Sequence, residues 1–139
     1  MGFVRDPSHW LNKLSPDEWI QASLAELRRA EARVKAHDLS GGLAGCKRAA
    51  GMALNGALLV EPNDSWQRSY VDHVSAVGRD TTVPERVRDA CKVLLEARPP
   101  SSDILTLRSP RSDERLLDAA RDVMAHAYAV VKRHESEDE

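Results

Sequence analysis

The chain has 139 residues, enough to bury a core in one domain without a metal or disulfide to hold it. A formal net charge of −2 argues against a general nucleic-acid binder, and 4% aromatic content with abundant Ala, Leu and Arg favours helices over strands. There is no apolar run of the roughly eighteen residues a membrane span requires, and the N-terminus, Met1-Gly2-Phe3-Val4-Arg5-Asp6-Pro7, has no apolar stretch of the kind a signal peptide carries.

The first helix is announced by Ser15-Pro16-Asp17-Glu18, a capping box with proline at the first helical position. Ile20, Leu24, Leu27 and Val34 form its expected apolar stripe, with Trp19 at the edge, while Arg28, Arg29, Glu31, Arg33 and Lys35 populate the other faces as solvated charges. Residues 1–14 read as an N-terminal arm, with Asp6-Pro7-Ser8-His9-Trp10-Leu11 as a short helical turn.

A second helix is predicted from about Ser40 to Val60. It carries Gly41, Gly42, Gly45, Gly51 and Gly56 together with Ala44, Ala49, Ala50, Ala53 and Ala57. Interior glycine costs a helix about 1 kcal/mol against alanine, so Gly51 and Gly56 point to close helix–helix approach, at the centre of a bundle or at a dimer contact. Glu61-Pro62-Asn63-Asp64 ends it.

The third helix starts near Asp64, with Trp66, Tyr70, Val74 and Val77 in step. His73 reads as a partly exposed helix histidine. Gly78-Arg79-Asp80-Thr81 breaks the pattern, and Thr82-Val83-Pro84-Glu85 offers a second capping box. The helix it opens places Val83, Val87, Ala90, Cys91 and Leu94 on one face and stops at Arg98-Pro99-Pro100. Cys46 and Cys91 both fall at apolar helical positions and read as buried reduced thiols, which with the missing signal peptide indicates the cytoplasm.

Residues 99–111 form the long irregular segment, with Arg98, Arg108 and Arg111 in or beside it as candidate phosphate contacts. The last helix begins near Ser112 and ends in the acidic tail 135–139. Together these elements predict an all-α fold: an up-and-down four-helix bundle with a short N-terminal helical turn and an extra crossover segment, the single domain spanning residues 15–134. No zinc spacing, Gly-rich phosphate loop or Glu-x-x-His pair is present, so neither a metal nor a cofactor is expected.

The candidate site lies on that last helix. Leu116, Ala120, Val123, Ala127 and Val130 recur at helical spacing, widened by Leu117, Met124 and Val131. Beside this stripe runs Arg121-Asp122-Val123-Met124-Ala125-His126-Ala127-Tyr128. Arg121 and Tyr128, seven apart, share one flank, whereas His126 lies roughly 140° from Arg121. One helix therefore cannot gather Arg121 and His126 into a compact site, and a second chain or another helix has to complete it. Arg68 and His73 repeat the Arg–His spacing, but only the first pair is followed by a tyrosine.

The second helix, Arg48-Ala49-Ala50-Gly51-Met52-Ala53-Leu54-Asn55-Gly56-Ala57-Leu58-Leu59, resembles the Gln-Ala-Ala-Glu-Lys-Ala-Leu-Lys-Ala-Leu-Leu helix of HEPN (higher eukaryotes and prokaryotes nucleotide-binding) domains. The first helix, Asp72-His73, the Arg98-Pro99 break and the last helix follow in similar order, so the resemblance covers roughly residues 15–133. The family's Gln, Glu and Lys are here Arg48, Gly51 and Asn55. The resemblance implies a helical bundle that pairs as a homodimer. It also implies a metal-independent ribonuclease of toxin type, in which Arg121-Asp122 and His126 match an Arg-x4–6-His motif. There His126 serves as general acid or base on the ribose 2′-hydroxyl and Arg121 stabilises the transition state. Tyr128 matches the modified tyrosine of toxins paired with a nucleotidyltransferase antitoxin. The alternative within the same resemblance is a non-catalytic bundle that binds a nucleotide or a nucleotidyltransferase partner.

Overall fold

The structure, a computed structural model, describes residues 14–61, 70–97 and 110–138. Within them the chain is all-helical: α1 (Pro16–Lys35), α2 (Leu39–Val60), α3 (Tyr70–Arg79), α4 (Glu85–Glu96) and α5 (Pro110–Asp138). The expected contributions of Trp66, Arg68, Arg98 and Arg108, the Arg111 side chain and the arm 1–13 lie outside the described residues.

α1 begins as its sequence demands. Ser15 Oγ accepts from the Glu18 amide at 3.2 Å, and Glu18 Oε1 accepts from the Ser15 amide at 3.0 Å. Its inward face differs from the predicted stripe. Trp19, Ile20, Ser23, Glu26, Leu27 and Ala30 are buried, whereas Leu24 points outward. Two polar residues can face inward because each is satisfied: Ser23 Oγ donates to the Ile20 carbonyl at 2.7 Å, and Glu26 is clasped by Arg48 of α2 and by Arg29 at 2.8 Å.

The turn into α2 is a Schellman motif, with the Asp38 amide donating to the Arg33 carbonyl and the His37 amide to the Val34 carbonyl. It puts His37 at φ 64°, left-handed backbone normally taken by glycine. Asp38 then caps α2 by accepting from the Gly41 amide at 2.9 Å.

α2 runs antiparallel to α1 and is buried on nearly all sides. Its small residues explain the close contact. A Cβ on Gly45 would stand 2.9 Å from the Ala30 Cβ, and one on Gly56 would stand 2.9 Å from the Pro16 carbonyl oxygen. Gly56 thus serves close approach of α2 to α1 within one chain, and Gly51 close approach to Tyr70 of α3, as the bundle-centre placement expects.

α5 packs antiparallel to α1 and against α2 and α4. Its predicted stripe forms the opposite wall of the core: Leu116, Ala120, Val123, Met124, Ala127, Val130 and Val131 are buried and Leu117 is partly buried, and Ala119, outside the predicted stripe, is buried with them. The helix continues through the acidic stretch as far as Asp138.

Two local expectations need correction. Thr82 does not cap α4, whose N-cap residue is Pro84 with no side-chain hydrogen bond. Thr82 is instead drawn into the preceding turn, donating from its amide (2.9 Å) and hydroxyl (2.6 Å) to Asp80 Oδ1. His73 is fully buried rather than partly exposed, because α3 turns the Val74–Val77 side of its surface, His73 included, into the bundle. Cys46 and Cys91 are buried free thiols as expected, and burial pushes them up to about 11 and about 12.

Candidate functional site on the last helix

α5 distributes its four candidate residues over three surfaces. Arg121 faces α1. Its guanidinium pairs with Glu31 at 2.7 Å and with Asp118 at 3.0 Å. Burial lowers its pKa somewhat, but the hydrogen bonds and charges of Glu31 and Asp118 outweigh this, and the net direction is upward. Arg121 is thus a cation already matched by two carboxylates of its own chain.

Tyr128 lies on the same flank, two turns further along. Together with Arg121 it lines a groove between α1 and α5 of about 510 Å³, whose floor is Ile20, Leu24, Leu27 and Met124. The exposed large hydrophobic residues among those described, Leu24 (38%) and Tyr128 (49%), both belong to this groove. The Lys132 ammonium sits 5.5 Å from the Tyr128 ring centroid.

His126 opens on the other side of α5. It lines a cavity of about 540 Å³ between α2, α5 and the α3–α4 connection, with Glu61, Asp80, Thr82 and Arg133 as its polar lining and Leu54, Val77, Val83 and Val130 among its apolar wall. Desolvation lowers the His126 pKa from its ordinary 6.5. The carboxylates of Glu61 and Asp80 oppose that shift and the Arg133 charge adds to it, with the net result downward. His126 is therefore a neutral imidazole at pH 7, with one donor and one acceptor nitrogen.

Asp122 occupies a third surface, the α4 side of α5, and pairs with Arg86 at 3.1 Å. Within one chain the structure brings Arg121 and Tyr128 together and leaves His126 and Asp122 apart from them. The second Arg–His pair offers no surface site at its histidine end, since His73 is buried.

Sequence reasoning passed over the residues that surround His126. Glu61 reads from the sequence only as part of a helix end and Asp80 only as part of a break, and Arg133 carries no motif. Glu61 joins Arg133 and His134, the latter at 2.8 Å, and these hydrogen bonds overcome the upward push of burial to hold its carboxyl below the usual range. The available signal was the α5 periodicity, which places His126, Ala129, Val130 and Arg133 along one flank.

Among the described residues no group of three or more His, Cys, Asp or Glu is placed to hold a metal ion, and no helix is long and apolar enough to cross a membrane. Compared with protein-family models, curated proteins and solved structures, the chain matches none.

Proposed function

We propose that the protein is a non-catalytic, HEPN-like helical module that works by binding protein, first of all a second copy of itself, through the α1/α5 groove. The observation that carries this reading is that Leu24 and Tyr128 share one apolar groove beside an Arg121 already neutralised by Glu31 and Asp118. Apolar side chains gathered in a groove with a polar rim are the usual mark of an interaction surface.

Charge favours a second copy as the occupant. Because Asp17 pairs with Lys132 and Glu31 with Arg121, the groove has two unlike ends. At one end Asp17 and Glu135 share the single Lys132, leaving one net negative charge. Toward the other, Arg28 lines the groove with no ion pair among the described residues. Two copies related by a two-fold axis near Leu24 and Tyr128 would bring each Arg28, the cation left unpaired among the described residues of its end, over the partner's acidic end. A nucleotidyltransferase-type partner would meet the same face at Tyr128.

A second reading, the metal-independent ribonuclease assembled across a homodimer, draws support from His126. Its imidazole is neutral, half-buried and open to a polar cavity, which is the state a general base requires. In that reading Arg121 must exchange Glu31 or Asp118 for a phosphate.

The test is the mass in solution, by light scattering from low to high micromolar concentration, for the native chain, Leu24→Glu and the control Lys92→Glu on α4, with circular dichroism checking the fold. A native dimer that Leu24→Glu dissolves and Lys92→Glu leaves intact is expected. A native monomer throughout, or a dimer unaffected by Leu24→Glu, overturns the reading. RNA cleavage in EDTA that His126→Ala abolishes would replace it with the second.

A further inference from the structure

The cavity around His126 does not enter the groove reading, and its chemistry points elsewhere. It is assembled from three separate parts of the chain: the end of α2 (Leu54, Ala57, Glu61), the α3–α4 connection with its flanks (Val77, Asp80, Val83) and α5 (His126, Val130, Arg133). At about 540 Å³ it falls in the range of small-ligand sites.

Its polar groups are partly committed and partly open. Glu61 uses Oε2 for both Arg133 and His134, and Oε1 accepts no hydrogen bond among the described residues. Asp80 uses Oδ1 for the Thr82 amide and hydroxyl, and Oδ2 likewise accepts none. Neither ring nitrogen of the half-buried His126 has a hydrogen-bond partner among the described residues. Thus the cavity lining holds two carboxylates, each fixed through one oxygen and with the other accepting no hydrogen bond among the described residues, together with a donor–acceptor ring and an apolar wall.

The charge count selects the ligand class. Glu61 and Asp80 contribute two negative charges and Arg133 one positive, leaving the cavity at −1 with His126 neutral. Its one arginine is already occupied by Glu61, so a phosphate would meet two carboxylates and no free cation. An ammonium, amidinium or guanidinium would meet open carboxylate oxygens.

We propose that this cavity is a binding site for a small organic cation, an amine, amidine or guanidine on a flat or aliphatic body. Asp80 and Glu61 take the charged head, His126 takes a hydrogen bond from or to the ligand, and Leu54, Val77, Val83 and Val130 cover its body. The proposal is independent of what binds the α1/α5 groove, which lies on the opposite side of α5.

Calorimetric titration of the full chain with benzamidine, and separately with AMP as the anionic probe, tests it. Saturable one-to-one binding of benzamidine is expected, weakened about tenfold by Asp80→Asn, the loss of one charge-assisted contact. Asp80→Asn retains the amide oxygen that Thr82 needs, so the turn is kept. Asp89→Asn, on the α4 surface, removes the same charge elsewhere and should leave the affinity unchanged. No saturable binding of benzamidine overturns the proposal. Equal weakening by Asp80→Asn and Asp89→Asn, or tighter binding of AMP than of benzamidine, overturns it as well.

Discussion

Arg121 of α5 and Glu31 of α1 form a 2.7 Å ion pair that closes one end of the apolar groove between the two helices. Both side chains are partly solvated, at 47% and 31% exposure, and Asp118 offers Arg121 a second carboxylate. Screening by water therefore limits what the pair contributes. Glu31→Gln should cost no more than about 1 kcal/mol in urea denaturation, the range of exposed ion pairs. A loss several times larger would mean that Arg121 holds the α1–α5 contact rather than decorating its edge.

Glu26 is a different case, because its carboxylate is almost fully buried, with Arg48 and Arg29 on it. Burial pushes its pKa up, and the two arginines more than offset that, so the folded value lies below the ordinary 4.5. A depressed folded pKa contributes stability that is present above the unfolded value and is lost as pH falls through the folded one. Stability should thus decline as pH drops below about 4.5, and Glu26→Gln should make that decline shallower. Denaturant melts across the acid range check it. Equal slopes for both proteins would assign the acid sensitivity to other carboxylates. At neutral pH, Arg48→Ala should cost about 1–3 kcal/mol, since Arg29 alone then faces the buried charge.

His37 sits at the left-handed position of the Schellman turn, where a side chain costs about 1–2 kcal/mol relative to glycine. His37 is exposed, so nothing packed is lost on removing the ring. His37→Gly should raise stability by about 1 kcal/mol, part of the gain being offset by the greater freedom of glycine in the unfolded chain. A melting temperature at or below that of the native chain would show that the histidine makes a compensating contact.

The features legible from the residues are the local ones. The Ser15–Glu18 capping box and the α5 stripe follow from spacing within a few turns, and both occur as read. The outward turn of Leu24 was not legible. It depends on Glu26 meeting Arg48, 22 positions away, and on small α2 residues drawing that side of α1 inward. Thr82 could have served either Asp80 or α4, and the tight Asp80 turn took it. At the site, the separation of His126 from Arg121 and Tyr128 was plain from the helical angle. The cavity around His126 was not, since Glu61 and Asp80 reach it from elements far apart in sequence.

Gly56 shows how close α2 lies to α1. A Cβ there would stand 2.9 Å from the Pro16 carbonyl oxygen and 3.3 Å from the Trp19 Cβ. The carbonyl is backbone at the first turn of α1 and cannot swing aside. Alanine gains about 1 kcal/mol in helix propensity, yet overpacking of this kind costs about 1–3 kcal/mol. Gly56→Ala should therefore be neutral at best and destabilising by up to about 2 kcal/mol. Thermal unfolding followed at the helical band decides it. A clear rise in melting temperature would mean that the two helices separate at little cost.

Asn55 lies one residue earlier, fully buried, with neither its amide nitrogen nor its oxygen hydrogen-bonded among the described residues. An unsatisfied buried amide carries the full cost of leaving water, about 1–3 kcal/mol. Leucine has nearly the same length and branching and no polar atoms. Asn55→Leu should therefore keep the fold and raise stability by about 1–2 kcal/mol, measured as a shift in the urea midpoint at unchanged slope. Asn55→Ala, which also removes the amide but leaves a cavity, should gain less than leucine or lose stability outright. Leucine falling below the native chain would mean that the amide does have a partner in solution, such as a buried water, and that the position is polar for a reason.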